Sequence, residues 1–266
     1  MTRLAVRWTV GDVSDDGFVA LRLSIWGAWK AFGPGAEYAV CVNSRTPAEA
    51  KAATGVLPTD VAWLAVDRSA VPEWLAQRLD GGMAEGVGWK LAPLRLFDGR
   101  WVLSLDNDCI LWDQPLAVRR WLATDEASVL AEDVRACFGQ FTELCSGAPR
   151  NGGIRGLPPS LDLERALHDV LDERPVTLTS ELDEQGLQVA ALERAGPTLV
   201  VRLDEVTICS PFPPNLPGLG SCGAHFIGLN ARALPWSYEG RPASELVREH
   251  FHRLEPELRA RVGLAA

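Results

Sequence analysis

Two aspartates, Asp106 and Asp108, interrupt the otherwise apolar run VLSLDNDCILW, Val102 to Trp112. Like charges in a run that reads as a core strand are costly unless something neutralises them. The D-x-D spacing lets two carboxylates meet one hard divalent cation, with a diphosphate supplying further oxygens. If the strand continues, its period of two puts both aspartates on one face. They also stand near its C-terminal end, where open α/β sheets place ligands. The competing reading is a solvated Asp-Asn-Asp turn that simply ends the strand.

Other residues could join that chemistry. His225, in CGAHFIGLN, carries an imidazole suited to Mn2+, although a histidine among apolar residues can equally be a satisfied core residue. Lys90 can meet a phosphate as a point charge. Asn151-Gly152-Gly153 reads as a turn, and its glycines would let backbone approach a ligand closely. Glu184 and Gln185 follow the predicted N-cap Ser180, a position that can present a carboxylate but that the helix dipole also favours for acids. His250 and His252 point to different faces of a helix and are expected to be solvated, and His168 sits mid-helix among acidic neighbours. The six cysteines contain no C-x-x-C pair, which excludes a zinc knuckle or a compact disulfide scaffold. Several lie in apolar strands and read as small hydrophobes.

The elements that must position these groups alternate in the first half of the chain. LAVRWTV and EYAVCVN read as buried strands and VAWLAV as a third strand, with the helix GFVALRLSIWGAWKAFG between the first two and the short helix VPEWLAQRLDG after the third. GVGWKLAPLRLFDG follows, where Pro93 requires any helix to start near Lys90 or to kink. After VLSLDNDCILW come the helix QPLAVRRWLAT and the strand ASVLAED. Such alternation predicts a mainly parallel sheet with helices on its faces. The second half reads as the Gly/Pro-rich turn APRNGGIRGLPPS, a helix LDLERALHDVLDE capped by Ser160, and a helix TSELDEQGLQVAALERAG. The strand TLVVRLDEVTIC, the loop PFPPNLPGLGSCG, the short strand AHFIGLN and a helical C-terminus follow. No repeat or linker interrupts the 266 residues, so one domain is expected.

Composition narrows the partners. A formal charge of −9 argues against a general nucleic-acid or anionic-membrane surface while leaving room for one nucleotide in a local pocket. No apolar run approaches the roughly 20 residues that span a bilayer, and the N-terminus lacks a signal-peptide pattern. A protein that is cytoplasmic and not membrane-spanning is expected.

Taken in order, these segments resemble the glycogenin-like retaining glycosyltransferases of family 8, which have the GT-A fold. The family's Lys-Leu before a helix, followed by a strand ending in D-x-D, looks like WKLAPLRLFDGRWVLSLDNDCILW. Its N-S-G turn resembles Asn151-Gly152-Gly153, and its Asp-Gln pair at a helix start is similar to Glu184-Gln185 followed by Gly186-Leu187. Its His-Phe-x-Gly motif reappears as His225-Phe226-Ile227-Gly228, with Pro235-Trp236 downstream. The resemblance runs from about Leu4 to Trp236.

The resemblance implies an α/β protein: a single GT-A type domain over residues 1–266, with a mainly parallel Rossmann-like central sheet flanked by helices and a helical tail from about 240 to 266. It implies a metal-dependent, hexosyltransferase-like enzyme that moves a sugar from a nucleotide-diphosphate sugar to an acceptor hydroxyl with retained configuration. Asp106, Asp108 and His225 would hold Mn2+ (or Mg2+). Lys90 and the Gly228 backbone would contact the diphosphate or sugar, Thr9, Val10 and Asp12 the nucleoside, and Asn107 the donor sugar or ribose. Asn151, Gly152, Glu181, Glu184 and Gln185 would line the sugar pocket, with Glu184 and Gln185 as candidate catalytic residues.

Departures from the family pattern bear on the donor. The base-contacting T-x-N-D-x-Y becomes Thr9-Val10-Gly11-Asp12-Val13-Ser14, so Ser14 stands where an aromatic residue stacks on uracil. The family favours a UDP-sugar, and this replacement leaves the base open. Glu184 replaces an aspartate, and Arg232 is the candidate substitute for a missing phosphate-binding lysine. Tyr38, in a predicted core strand, and Tyr238, just after Pro235-Trp236, are the only tyrosines and neither is placed as an obvious acceptor for self-glucosylation, which disfavours glycogen priming. Two alternatives remain: a catalytically inactive GT-A relative that binds a sugar or a protein, and a nucleotidyltransferase. The latter would carry a Gly-rich basic loop where the acidic TVGDVSDDG stands.

Overall fold

The structure is a computed structural model that describes residues 4–80 and 90–264. Three strands, β1 (Leu4–Val10), β2 (Glu37–Val42) and β3 (Ala62–Ala65), pair in parallel, and β4 (Trp101–Leu105) joins β1 on its other side. The sheet continues through β7 (Arg150–Leu157), β6 (Ser128–Glu132) and β8 (Thr198–Val201) in the order β3-β2-β1-β4-β7-β6-β8. Only β7 opposes its neighbours β4 and β6, so the seven-stranded sheet is mainly parallel, as expected. A second, three-stranded sheet has the order β5-β10-β9, from β5 (Cys109–Leu111), β10 (Gly223–His225) and β9 (Val206–Ile208).

Helices cover both faces of the large sheet. The central strands β1, β2 and β4 are largely apolar because both their faces are buried, as parallel sheets require, whereas the edge strand β3 is mostly exposed. One face joins Trp8, Leu103 and Val129 to Leu21 and Ile25 of α1 (Asp15–Phe32). The alternate residues Val102, Leu130 and Leu157 meet Leu167 of α5 (Leu163–Glu173) and Leu187 of α6 (Glu181–Ala195) on the other. Shorter helices α2 (Pro47–Thr54), α3 (Glu73–Ala76) and α4 (Leu116–Trp121) complete the crossovers. The expected tail is α7 (Ala243–Val262), whose Val247 and Phe251 pack with Ile110 and Ala224 of the small sheet. No helix among the described residues is long and apolar enough to cross a membrane.

Five sequence expectations require correction. APRNGGIRGLPPS is not a turn: residues 150–157 form β7 in the middle of the sheet. Its glycines permit close approach rather than reversal, since a Cβ on Gly156 would press on Val129 and Trp121. TLVVRLDEVTIC is two strands in two sheets, because Arg202–Glu205 turns the chain between β8 and β9. No α-helix follows Lys90 within residues 91–100, only a 3-10 turn at Lys90 and Leu91, and residues 86–89 of that segment lie outside the described residues. There the carbonyls of Ala92 and Pro93 turn inward to the Arg7 guanidinium, an arrangement a helix forbids by using its carbonyls internally. Asp162, not Ser160, caps α5 by accepting from Arg165 N at 3.0 Å. His250 is buried rather than solvated, because it lies three residues beyond Val247 on the apolar stripe of α7; its Nε2 is 3.4 Å from Cys209 Sγ. His252 stands off that stripe, half-exposed and 3.2 Å from Asp16. His168 stacks on Trp74, with ring centroids 3.7 Å apart.

The position of α1 over the small sheet depends on Gly27, where an added Cβ would collide with the Leu111 carbonyl oxygen of β5. Backbone cannot yield as a flexible side chain can. Gly27→Ala should therefore destabilise the protein by about 2 kcal/mol in chemical denaturation.

Candidate functional site

The apolar run that holds Asp106 and Asp108 does not continue as one strand. Leu105 ends β4, Asp106 N still donates to Gly153 O of β7 at 2.9 Å, and Cys109 N closes a turn onto Asp106 O at 2.9 Å. The chain then leaves the large sheet and enters the small one as β5. The two carboxylates thus converge through a turn, not through the period of a continuous strand. β10 pairs with β5 so that His225 lies opposite Cys109, and Phe226 N extends the ladder to Asp108 O at 2.9 Å. Two residues 117 or more apart in sequence are brought together by this pairing.

His225 Nε2 stands 3.6 Å from an Asp106 oxygen and 3.3 Å from Asp108 Oδ1. One potential ligand atom from each of the three residues lies within 4.8 Å of the others. Asp108 is buried and its Oδ1 accepts no hydrogen bond among the described residues, while Oδ2 accepts from Asn230 Nδ2 at 2.9 Å. Asn230 also accepts from Asn107, which in turn donates to Gly17 O. A buried carboxylate oxygen without a donor, beside an imidazole and a second carboxylate, fits a divalent cation with O/N preference. Gly153 makes room for this cluster, because a Cβ there would overlap the His225 ring.

Lys90 Nζ binds Asp106 at 2.8 Å. Burial alone would lower the Lys90 pKa, but Asp106 and then Glu184 outweigh it and raise it. Asp106 shows the complement: burial favours its neutral form, yet Lys90 and His225 hold its pKa below the ordinary value. His225 loses solvation, which lowers its pKa, but the close carboxylates of Asp108 and Asp106 raise it overall. Deeper along the cleft, Glu184 is buried in the first turn of α6 and accepts from Gln188 one turn later. Burial raises its pKa to about 7, against the opposing charges of Lys90 and Arg155. Gln185 is fixed at both ends: Oε1 accepts from Gly152 N at 3.0 Å, and Nε2 donates to Cys137 O at 2.9 Å. Asn151 donates to Asp133 at 2.9 Å and accepts from Gly153 N at 2.7 Å.

These groups share a cleft of about 680 Å³ at the C-terminal edge of the parallel strands. Thr9, Lys90, Asp106, Asn107, Asp108, Asn151, Glu181, Glu184, Gln185, His225 and Gly228 all line it. Gly152 lines a smaller space behind. Three candidates stand apart: the Val10 side chain belongs to the core, and Asp12 and Arg232 form an exposed ion pair at 2.6 Å. Ser14 is spent on structure, capping α1 and donating to Leu229 O at 2.8 Å. Sequence reasoning missed Asn230 and Asp133. Asp133 had a readable signal, an acid just past the C-terminal end of β6; Asn230 had none, since its role depends on a contact 122 residues away.

No protein-family model and no curated protein matches the chain. Among solved structures, it is similar to the galactosyltransferase LgtC in complex with donor and acceptor sugar analogues, at 13% identity and a TM-score of 0.52 over 97% of this chain and 99% of LgtC. It is also similar to an active-site mutant of LgtC, at 12% identity and a TM-score of 0.54 over 94% of this chain and 95% of that one. At such identities the likeness is one of fold, and this chain has a glycosyltransferase-like fold of the GT-A type.

The raised pKa of Glu184 has a thermodynamic consequence. Between about 4.5 and about 7 the unfolded chain has released this proton while the folded chain retains it, so stability falls as pH rises through that window. Above it the full cost is present. Glu184→Gln removes the cost and should gain stability over the parent at pH 8 relative to pH 5, by on the order of 3 kcal/mol in urea titrations at the two pH values.

Proposed function

We propose that this chain is a metal-dependent glycosyltransferase that moves a sugar from a nucleotide-diphosphate sugar to an acceptor hydroxyl, with retained configuration. The observation that carries the reading is the Asp106, Asp108 and His225 cluster at the strand edge of a glycosyltransferase-like fold, in which Asp108 Oδ1 accepts no hydrogen bond among the described residues and faces His225. LgtC, of like fold, binds donor and acceptor sugar analogues. The three side chains would hold Mn2+ or Mg2+, which when bound supplies positive charge to a departing diphosphate.

This chain's own groups then divide the work. Lys90 is poised to exchange part of its contact with Asp106 for a phosphate oxygen, and the Gly228 backbone lies along the same wall. Asn151, Glu181, Glu184 and Gln185 face the donor sugar, with Gln185 held rigidly by its two backbone partners. Glu184 in its ionised form is the group suited to stabilise positive charge developing at the sugar carbon. Thr9 and Asn107 border the nucleoside end. Asp12 or Arg232 would take part only after giving up their mutual ion pair. With Ser14 buried as a helix cap, no aromatic residue is available at that position to stack on a base, so base preference is set by other contacts.

A thermal-shift panel of UDP, GDP, TDP and CDP, each with and without Mn2+, tests this reading. One nucleotide should raise the melting temperature only when the metal is present, and Asp108→Ala should abolish that increment together with sugar transfer. Stabilisation by none of the four would instead support an inactive relative that binds a sugar or a protein.

A further inference from the structure

One row of side chains lies directly beneath the floor of the cleft. Arg7 of β1 pairs with Ser104 of β4, and Ser104 pairs with Arg155 of β7, so the three residues stand side by side on the face that α6 covers. Thr9, Asp106 and Gly153 occupy the next step up those strands, at the cleft itself. Arg7 and Arg155 are 1% and 3% exposed, and two buried guanidinium groups on either side of one serine need compensation.

The two arginines are compensated differently. Arg7 is spent on structure: it donates to the carbonyls of Ala92 and Pro93 and so secures the segment that follows Lys90. Arg155 has only long contacts from Nη2, to Ser104 Oγ at 3.4 Å and Lys90 O at 3.5 Å. Its Nε and Nη1 are buried without a partner among the described residues. Gln188, from the α6 turn above, is buried as well; its Nε2 donates to Glu184 and its Oε1 has no hydrogen-bond partner among the described residues. Arg155, Gln188, Gly152 and Asp106 border one small cavity of about 20 Å³. That volume suits a single water, and a water needs both donors and acceptors around it. Arg155 offers the donors and Gln188 Oε1 the acceptor.

We infer that Arg155 is a positioning residue: through one enclosed water and the amide of Gln188, it holds the Glu184 carboxylate in place at the donor-sugar end of the cleft. Arg155 donates to the water, the water donates to Gln188 Oε1, and Gln188 Nε2 donates to Glu184. The chain of donors has one direction. Reversing the amide would point a carbonyl at the carboxylate and leave two arginine protons facing an NH2 group. The charged groups bearing on Glu184 are Lys90 and Arg155, which favour its ionised form, and Asp106 and Glu181, which oppose it. Asp183, next in the chain, is engaged elsewhere, with Thr179 and Gln140. The consequence for turnover rests on the proposed glycosyltransferase activity; the orientation of Glu184 does not.

The test uses the full chain and three variants, Arg155→Met, Arg155→Lys and Gln188→Met. The Glu184 carboxyl is titrated by infrared difference spectroscopy, with Glu184→Gln as the blank. Arg155→Met should move the midpoint upward by about one pH unit, and Gln188→Met should move it in the same direction. Arg155→Lys, which keeps a charge and a donor, should return most of the shift. In sugar transfer, Arg155→Met should lower kcat roughly tenfold or more while donor affinity changes by less than about threefold. An unmoved midpoint in a folded Arg155→Met protein overturns the inference. So does a shift that Arg155→Lys fails to recover while Gln188→Met is silent. If Arg155→Met does not fold, Gln188→Met and Arg155→Lys decide by the same midpoint. A parent protein that turns over no nucleotide sugar defeats the transferase reading, whereas the titration still decides the role of Arg155.

Discussion

Buried negative charge is the constraint around which this molecule is arranged. Asp106, Asp108 and Glu184 lie within one cleft, and a carboxylate withdrawn from water must be paired, hydrogen-bonded or protonated. The structure uses a different solution for each. Asp106 is paired with Lys90, Asp108 is half-satisfied by Asn230 and faces His225, and Glu184 has its pKa lifted by burial. The unequal treatment distinguishes a group suited to ligate a cation from one suited to switch protonation near neutrality.

The switch of sheets at Asn107 makes the arrangement possible. A straight continuation of β4 would carry Asp108 away along the large sheet. Turning there starts β5, and β5 brings β10 and His225 alongside. Close approach completes the work: Gly153 lets the His225 ring lie against β7, and Gly27 lets α1 rest on β5. Both glycines act by absence of a side chain rather than by backbone freedom.

Beneath the cleft, the cationic row of Arg7 and Arg155 supports the acidic floor from inside the fold. Its two members differ in how far they are satisfied by protein groups, and that difference separates scaffold from site. Arg7 organises the segment after Lys90, so it governs Lys90 through backbone. Arg155 lies within electrostatic reach of Glu184 and Asp106 without an ion pair to either.

Local pattern alone determined much of this protein. The apolar runs at Leu4–Val10, Glu37–Val42 and Ser128–Glu132 and the cap at Ser180 are properties of a few adjacent residues, and each element forms where its pattern places it. The D-x-D pair and the ordered motifs through His225 were likewise legible, because residue type and spacing survive in one dimension. The strand at Arg150–Leu157 was not legible, since glycines that signal a turn locally also serve a strand pressed between bulky neighbours. Nor was the burial of His250, which the stripe of α7 decides, or the service of Asn230 to Asp108. The meeting of Arg7 and Arg155 on either side of Ser104 is likewise set only by strand register. Partnership across a hundred residues, and the desolvation that shifts a carboxyl, exist only once the chain is folded; tertiary structure decided those.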